Sequence, residues 1–337
     1  MIPERFRKGY YAGNKWGGKF LRAPEIFYTI LKKGKGKLVR LGDIAEVRRG
    51  FTTGANDFFY LPSKYFDIKE EGDYYRLIPK QDNLPRDIKI EKEFLKPVIK
   101  SPRECKTIII KPEDLKHKVF ICNKPKKELK GTGALKYIEW GEKMGFNKVP
   151  TVKGRRFWYG LPKLPIANIL FNQIFFERFI FPLNKYELLV DHAYYYLIYP
   201  KNPVFLTFSL NSSISILITE LFGRLNLGEG ALQTYGPEMR MLIILNPKFL
   251  EKNKNIEIIM EKLSQREIRS IFEELGFDPS RPIRDQEPNP LPDRAELDNI
   301  IFDELGLTKE ERKEVYWAVA ELVKQRLEKA RSLKKNK

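Results

Sequence analysis

The feature that most constrains the fold is a change in hydrophobic pattern near Pro247. From Leu38 to Pro247 the chain reads as short runs of β-branched and aromatic residues bounded by proline, glycine or asparagine, and beyond Pro247 apolar residues recur at helical spacing. Such runs predict strands, and helical spacing predicts amphipathic helices. We therefore expect an α+β protein: a curved mixed β-sheet domain with inserted helices over residues 38–247, a helical region over 248–337, and a linker or arm over 1–37.

Two helices are predicted inside the strand-rich part. One spans about residues 133–145 after Thr132, a suitable N-cap, and the other spans about 212–222.

The Gly-Thr-Gly at 131–133 could be mistaken for a phosphate-binding loop, because a glycine pair before a helix can cradle phosphate. It follows a charged stretch instead of a buried strand and lacks a third glycine, so an ordinary helix start is favoured.

Composition excludes several classes of protein. A chain of 337 residues with 42% apolar content can bury a substantial core. No uncharged apolar run is long enough to cross a membrane, and the N-terminus lacks an apolar signal core, so we expect a cytoplasmic protein. Two cysteines and two histidines, Cys105, Cys122, His117 and His192, make no metal-ligand spacing; neither zinc nor a disulfide is predicted.

The positive charge is concentrated in two segments. Of the net charge of +18, +9 lies in residues 1–50 and +10 in residues 91–160, while the rest of the chain is close to neutral. Concentrated cations are the expected footprint of a phosphate-binding face, because neutralised phosphates release counterions. The alternative is a lysine-rich surface that only confers solubility.

Residues 41–61 contain the first group of candidate DNA-contacting residues. Arg48 and Arg49 precede a turn with glycines at positions 50 and 54, and Thr53 and Asn56 offer short polar groups in that turn. Guanidinium groups beside a flexible polar loop favour the approach of a polyanion.

A second group lies in residues 151–162. Lys153, Arg155 and Arg156 are three cations within four residues, and Trp158 and Tyr159 follow at once. Arginine can bind guanine or phosphate, and aromatic rings can stack on bases or pack against sugar. For Trp158, ordinary burial in a core is the favoured alternative.

The remaining candidates are polar residues within apolar surroundings. Asn172 and the neighbouring Gln173 suit bidentate recognition of adenine, with satisfaction of a sheet edge as an equal alternative, and Arg178 follows in the same run. Gln233 lies in a loop over about 228–235 that could approach DNA or simply form a tight turn. The adjacent Asp191 and His192 lack a placed nucleophile, which favours a structural hydrogen bond over catalysis.

Five stretches carry a resemblance to a known family. They are LGDIAEVRRGFTTGANDFFYL at 41–61, YIEWGEK at 137–143, TVKGRRFWYGLP at 151–162, SLNSSISILITELFGRLNLGEGAL at 209–232 and ELDNIIFDELGLTKEERKEVYWAV at 296–319. In this order, over about 280 residues, they resemble the TaqI-like C-terminal specificity domain, or target-recognition domain, of prokaryotic adenine-specific DNA methyltransferases and restriction-modification enzymes. Type I restriction specificity subunits have related domains.

The resemblance implies a module that recognises double-stranded DNA, with residues 1–37 near the junction to a catalytic domain. The chain lacks the Asn/Asp-Pro-Pro-aromatic tetrapeptide of that class, and it has no glycine-rich loop after a buried strand. We therefore expect no catalytic residue and no cofactor in this chain, with AdoMet bound by a catalytic partner domain. Two alternatives stay open: a specificity subunit of a split methyltransferase, and a protein that binds RNA or single strands.

Overall fold

The computed structural model describes residues 22–162, 166–225 and 230–335. Most of the predicted arm and Gly228 of the predicted DNA-facing loop lie outside these residues. The predicted α+β class is confirmed, and so is the helical C-terminal part.

The strands are β1 Leu38–Arg40, β2 Glu46–Arg49, β3 Tyr60–Leu61, β4 Phe66–Glu71, β5 Tyr74–Pro79, β6 Lys89–Glu91, β7 Leu95–Ile99, β8 His117–Phe120, β9 Ile169–Asn172, β10 Ile174–Phe175, β11 Leu189–Val190, β12 Tyr194–Ile198, β13 Leu232–Gln233 and β14 Ile243–Leu245.

Helices lie between these strands and dominate the C-terminal part. The α-helices are α1 Glu25–Lys33, α2 Leu41–Ile44, α3 Asn56–Phe59, α4 Gly133–Lys143, α5 Pro150–Lys153, α6 Pro203–Leu210, α7 Ser213–Phe222, α8 Gly236–Met241, α9 Asn255–Ser264, α10 Ile271–Leu275, α11 Pro292–Leu305 and α12 Lys309–Lys335. The predicted inserted helices are thus present as α4 and α7. Their N-caps are Thr132, which accepts a hydrogen bond from the Leu135 amide, and Ser212.

The strands form small open sheets instead of one continuous curved sheet. An antiparallel sheet has the order β2-β12-β9, another has the order β4-β5-β6, and a mixed sheet has the order β11-β7-β8-β3 with β11 parallel to β7. β1 pairs with β14 and β10 with β13. Two of the runs of β-branched and aromatic residues from which strands are predicted, at 107–112 and 179–183, form only isolated bridges at Ile109 and Leu183.

The glycines before α4 serve packing and not phosphate binding. The amides of Gly133 and Ala134 donate to the carboxylate of Glu91 at 2.8 and 3.2 Å, so a protein side chain already occupies the N-terminus of the helix. A Cβ atom at position 133 would lie 1.5 Å from the Lys89 carbonyl oxygen. Glycine is therefore required by the close approach of β6.

Two large hydrophobic cores organise the described chain. The insert core is built from residues 55–161 and centres on Phe58, Phe120 and Tyr137. The main core combines α1, β2, β9, α6 and α7 with the C-terminal helices. The predicted boundary near Pro247 does not separate two cores, because the apolar face of α12 packs against α7 and α1.

Buried ion pairs link the C-terminal helices to α7 and to one another. Arg326 on α12 makes a bidentate pair with Glu220 on α7, at 2.8 and 3.0 Å, and the two side chains are 3% and 0% exposed. Arg294 on α11 contacts Glu274 at 3.2 Å. Burial alone would raise the pKa of Glu274, but the guanidinium groups of Arg266 and Arg294 hold it below its usual value.

Among the described helices, no single one is long and apolar enough to span a membrane. The bent pair α6 and α7, with an angle of 67° between them, meets that test only jointly and only by length and composition.

Candidate nucleic-acid interface

The chain passes from the main core to the insert core at Gly50 and Phe51. This crossing is the junction of the two cores. The Gly50 amide donates to the Tyr194 carbonyl at 2.9 Å, and the Phe51 amide donates to the Val190 carbonyl at 3.0 Å. A Cβ atom on Gly50 would lie 2.0 Å from the Asp191 carbonyl oxygen. The two segments can therefore touch only if position 50 is glycine.

The predicted arginine pair lies at the end of β2, directly before this crossing. Arg48 is exposed and pairs with Glu46 at 2.7 Å, and this hydrogen bond raises the pKa of Arg48. Arg49 is also exposed, and its Nε donates to the His192 carbonyl at 3.1 Å. Of the two, Arg49 is held at the junction by its hydrogen bond to His192, and the charge of Arg48 is partly offset by Glu46.

The loop over residues 52–56 places Thr53 inside and Asn56 outside. The Thr53 side chain is fully buried, and its hydroxyl donates to Asn56 Oδ1 at 2.6 Å. Thr53 therefore stabilises the loop, and its buried side chain cannot make the DNA contact that the sequence predicted. Asn56 is exposed at the start of α3 and stays a candidate contact.

Arg155 joins this loop to the basic block at 151–162. Its guanidinium donates to the carbonyls of Thr53 at 2.8 Å and Gly160 at 3.0 Å, and it lies 5.7 Å from the Phe59 ring centroid. Burial lowers the pKa of this guanidinium. The DNA-facing role of the block stays a prediction, but Arg155, for which a DNA contact was predicted, is used as a brace between two loops.

The aromatic residues of the block pack into the insert core. Tyr159 is 3% exposed, its hydroxyl donates to the Lys124 carbonyl at 3.0 Å, and its ring stacks on Phe157. Trp158 is partly buried against Phe58, with a centroid distance of 4.6 Å, and its Nε1 donates to Glu142 at 3.0 Å. Stacking of Tyr159 on DNA is contradicted by this burial, and core packing is the role found for Trp158.

Lys153 and Arg156 remain exposed beside the braced loops. They line an open depression of about 430 Å³. Within the described residues neither side chain pairs with a carboxylate; Arg156 lies over the Phe157 ring at 5.2 Å. Two cations on a rigid surface are suited to binding phosphate.

At the end of β9 the accessible residue is Gln173 and not Asn172. Asn172 is 5% exposed, and in the described part of the chain its buried Oδ1 has no hydrogen-bond partner. Gln173 is half-buried, and its Nε2 donates to the His192 carbonyl at 2.9 Å. The sequence offered both residues as candidates, and burial leaves only Gln173 partly accessible.

Arg178 and Gln233 lie in different surroundings. Arg178 is half-buried near Cys105 and Tyr194. Burial raises the pKa of both groups, and the positive charge of Arg178 offsets part of that rise. Gln233 is half-buried on β13, and its Nε2 donates to the Tyr235 hydroxyl. Arg178 is therefore a poor candidate for DNA contact, whereas Gln233 stays a prediction.

Asp191 and His192 form the structural hydrogen bond that the sequence favoured. Asp191 is buried and accepts from Tyr60 Oη at 2.5 Å and from the Ala193 amide at 2.9 Å, and His192 Nδ1 lies 3.0 Å from its Oδ1. Burial and the contact with Asp191 raise the pKa of Tyr60. The His192 side chain is nevertheless 39% exposed, and its backbone carbonyl accepts from both Arg49 and Gln173. No spacing in the sequence signals that convergence.

In the part of the chain that the structure describes, no group of three or more His, Cys, Asp or Glu side chains is arranged to hold a metal ion. Cys105 and Cys122 are buried free thiols, and burial raises the pKa of Cys105 to about 12.

Comparisons with known proteins relate this geometry to a family. No curated protein matches the sequence. The fold is similar to that of the type IIG restriction endonuclease BpuSI, with a TM-score of 0.61 and 12% identity, over 93% of this chain and 34% of BpuSI. The chain thus corresponds to about a third of that enzyme's length. A family model described as "Type II methyltransferase M.Eco57I, C-terminal domain" matches residues 13–276. The expected relation to the C-terminal specificity regions of DNA methyltransferases is confirmed, and the chain belongs to the M.Eco57I C-terminal domain family.

Proposed function

We propose that this chain is the sequence-specific double-stranded DNA recognition module of a restriction-modification type adenine DNA methyltransferase. The observation that carries the proposal is the group of exposed cations, together with the half-buried carboxamide of Gln173, at and beside the junction of the two cores, in a member of a methyltransferase C-terminal domain family. Cations would bind the DNA backbone, and the junction residues would contact base edges.

The cations beside the junction support backbone binding. Lys153 and Arg156 are exposed and have no carboxylate partner in the described ranges. They lie in one of the two segments that carry the excess positive charge. A phosphate can therefore bind each of them without displacing a protein anion.

Rigid support for these loops favours specific recognition. Thr151 Oγ1 donates to the Gly54 carbonyl at 2.5 Å, and Arg155 bridges Thr53 and Gly160. The loops at 52–56 and 151–156 therefore form one braced unit. A preorganised surface loses less conformational entropy on binding than two separate loops would.

Methyl transfer is assigned to a catalytic partner, either a domain of the same enzyme or a separate subunit, which would bind AdoMet and flip the adenine. A specificity subunit of a split methyltransferase is the second form of this proposal. Binding of RNA or single strands is disfavoured, because the proposed stacking residue Tyr159 is buried. The cytoplasmic location expected from the sequence stays a prediction.

Selection against a randomised duplex pool tests the function. The recovered sequence and a scrambled duplex are then titrated with the purified protein at two salt concentrations. We expect a motif bound about a thousandfold more tightly than the scrambled duplex. Equal affinity for both duplexes would contradict sequence-specific recognition, and preference for single strands would favour the alternative class.

Removing both exposed cations of the block should weaken binding without altering sequence preference. For Lys153→Ala combined with Arg156→Ala, we expect the slope of log affinity against log salt to fall by about two, since each lost phosphate contact contributes about 0.9. Both duplexes should lose affinity in the same proportion.

The matched control removes two exposed lysines from the electrically neutral region, Lys252→Ala with Lys254→Ala. An unchanged salt slope in the first double variant, or an equal change in this control, would show that the block does not contact phosphate.

A further inference from the structure

We infer that Arg49, Gln173 and His192 form the base-reading cluster of this chain. The inference rests on the proposed function and specifies which side chains determine its sequence preference. The ligand would be base edges in the major groove of duplex DNA, which present donors and acceptors in a pattern that differs for each base pair.

The three residues meet at one end of the sheet β2-β12-β9. Arg49 is the last residue of β2, Gln173 follows the last residue of β9, and His192 lies two residues before β12. Both neighbours run antiparallel to β12, with Arg49 opposite Tyr195 and Asn172 opposite Tyr194. The ends of β2 and β9 and the start of β12 therefore lie together, although Arg49 is more than a hundred positions from the other two residues in sequence.

A single backbone carbonyl anchors the cluster. The His192 oxygen accepts from Arg49 Nε at 3.1 Å and from Gln173 Nε2 at 2.9 Å. These bonds use one donor from each side chain. Among the described residues, both Nη groups of Arg49, one amide hydrogen of Gln173 and its Oε1 make no further hydrogen bond and can serve a ligand.

The imidazole of His192 is held in place by Asp191. Its Nδ1 contacts the buried carboxylate of Asp191, which is itself held by Tyr60 and by the Ala193 amide. The ring atom left for a ligand is Nε2, on a side chain that is 39% exposed. Asp191 and Tyr60 are thus positioning residues, because they orient the His192 imidazole before DNA arrives.

The chemistry of the three exposed groups suits base recognition. A guanidinium can bind the two acceptors of guanine, and a carboxamide can bind adenine through one donor and one acceptor. Glutamine can also donate a hydrogen bond to phosphate, but its carboxamide supplies an acceptor as well, which a phosphate cannot use. The carboxamide beside the arginine and the histidine therefore favours reading of bases over binding of the backbone alone.

Randomised-duplex selection on three single variants tests the cluster. Arg49→Lys keeps the charge and loses the planar fork, while Gln173→Ala and His192→Ala remove the remaining groups; His192→Gln provides a second variant should His192→Ala unfold. Each variant should recover a motif that is degenerate at one or two base pairs. Discrimination at those positions should fall about tenfold or more, and affinity for scrambled duplex should stay the same.

Matched controls carry the same changes elsewhere on the surface, Arg103→Lys and Gln81→Ala, both at exposed positions. They should recover the wild-type motif. Circular dichroism and thermal unfolding identify variants that are folded and interpretable.

Three results would overturn the inference. If the wild-type protein selects a motif and all folded cluster variants keep it with equal discrimination, the proposed function stands and the cluster does not read bases. If the variants lose affinity for selected and scrambled duplexes in equal proportion, the residues bind the backbone. If the wild-type protein selects no motif, the proposed function fails together with the cluster.

Discussion

Arg326→Met is expected to lower the free energy of unfolding by about 3–5 kcal/mol, because it leaves the carboxylate of Glu220 buried without its bidentate partner. Arg326 also donates to the carbonyls of Gly230 and Phe176, so the substitution removes donors from three acceptors at once. Urea unfolding monitored by circular dichroism measures the loss.

Two controls separate the buried pair from simple loss of charge. Lys262→Met breaks an exposed pair with Glu296, whose partners are 52% and 43% exposed, and should cost less than about 1 kcal/mol. Combining Arg326→Met with Glu220→Leu removes both buried charges and should recover much of the lost stability. A similar small loss for Arg326→Met and Lys262→Met would show that the joint between α7 and α12 does not depend on this pair.

The second large effect is expected for Gly50→Ala. The added methyl group would lie 2.0 Å from the Asp191 carbonyl oxygen and 2.6 Å from the Val190 carbonyl oxygen, both of which are backbone atoms. Separating the two segments would displace His192 from Arg49 and break the contact between the cores. We expect a loss of about 3 kcal/mol or more in unfolding free energy, and reduced discrimination between duplexes in any folded fraction.

Gly154→Ala is the matched control for that substitution. Gly154 lies in the basic block at φ −87°, and a Cβ atom there would meet no heavy atom within 4 Å. The change in stability should be below about 1 kcal/mol, with DNA binding retained. If the two alanine variants behave alike, the close approach at Gly50 does not hold the junction.

Local patterns were predicted well because nearby residues determine them. The N-cap Thr132 is read from a few neighbouring positions and α4 begins directly after it, while α7 begins at Ser213, one residue after its predicted start. The α+β class follows from hydrophobic periodicity in the same way. The extended segments near Ile109 and Leu183 were assigned too regular a structure, since local composition does not reveal whether a pairing partner exists.

Site residues were predicted less well because exposure depends on distant parts of the chain. Asn172 and Gln173 have similar chemistry, and only the pairing of β9 with β12 turns the first inward and leaves the second at the junction. Arg155 and Arg156 are likewise adjacent and equally charged. The carbonyls of Thr53 and Gly160 capture one of them, and the other remains available.

The sequence by itself determined the fold class, the location of the positive charge, the main helices and the resemblance to methyltransferase specificity domains, all of which depend on composition and local order. Only the tertiary structure decided that α12 shares a core with α7, that Tyr159 is buried, and that Arg49, Gln173 and His192 meet at one carbonyl. The physical reason is that burial and hydrogen bonding at these positions are set by segments far apart in the chain. Their convergence exists only after strands and helices have packed.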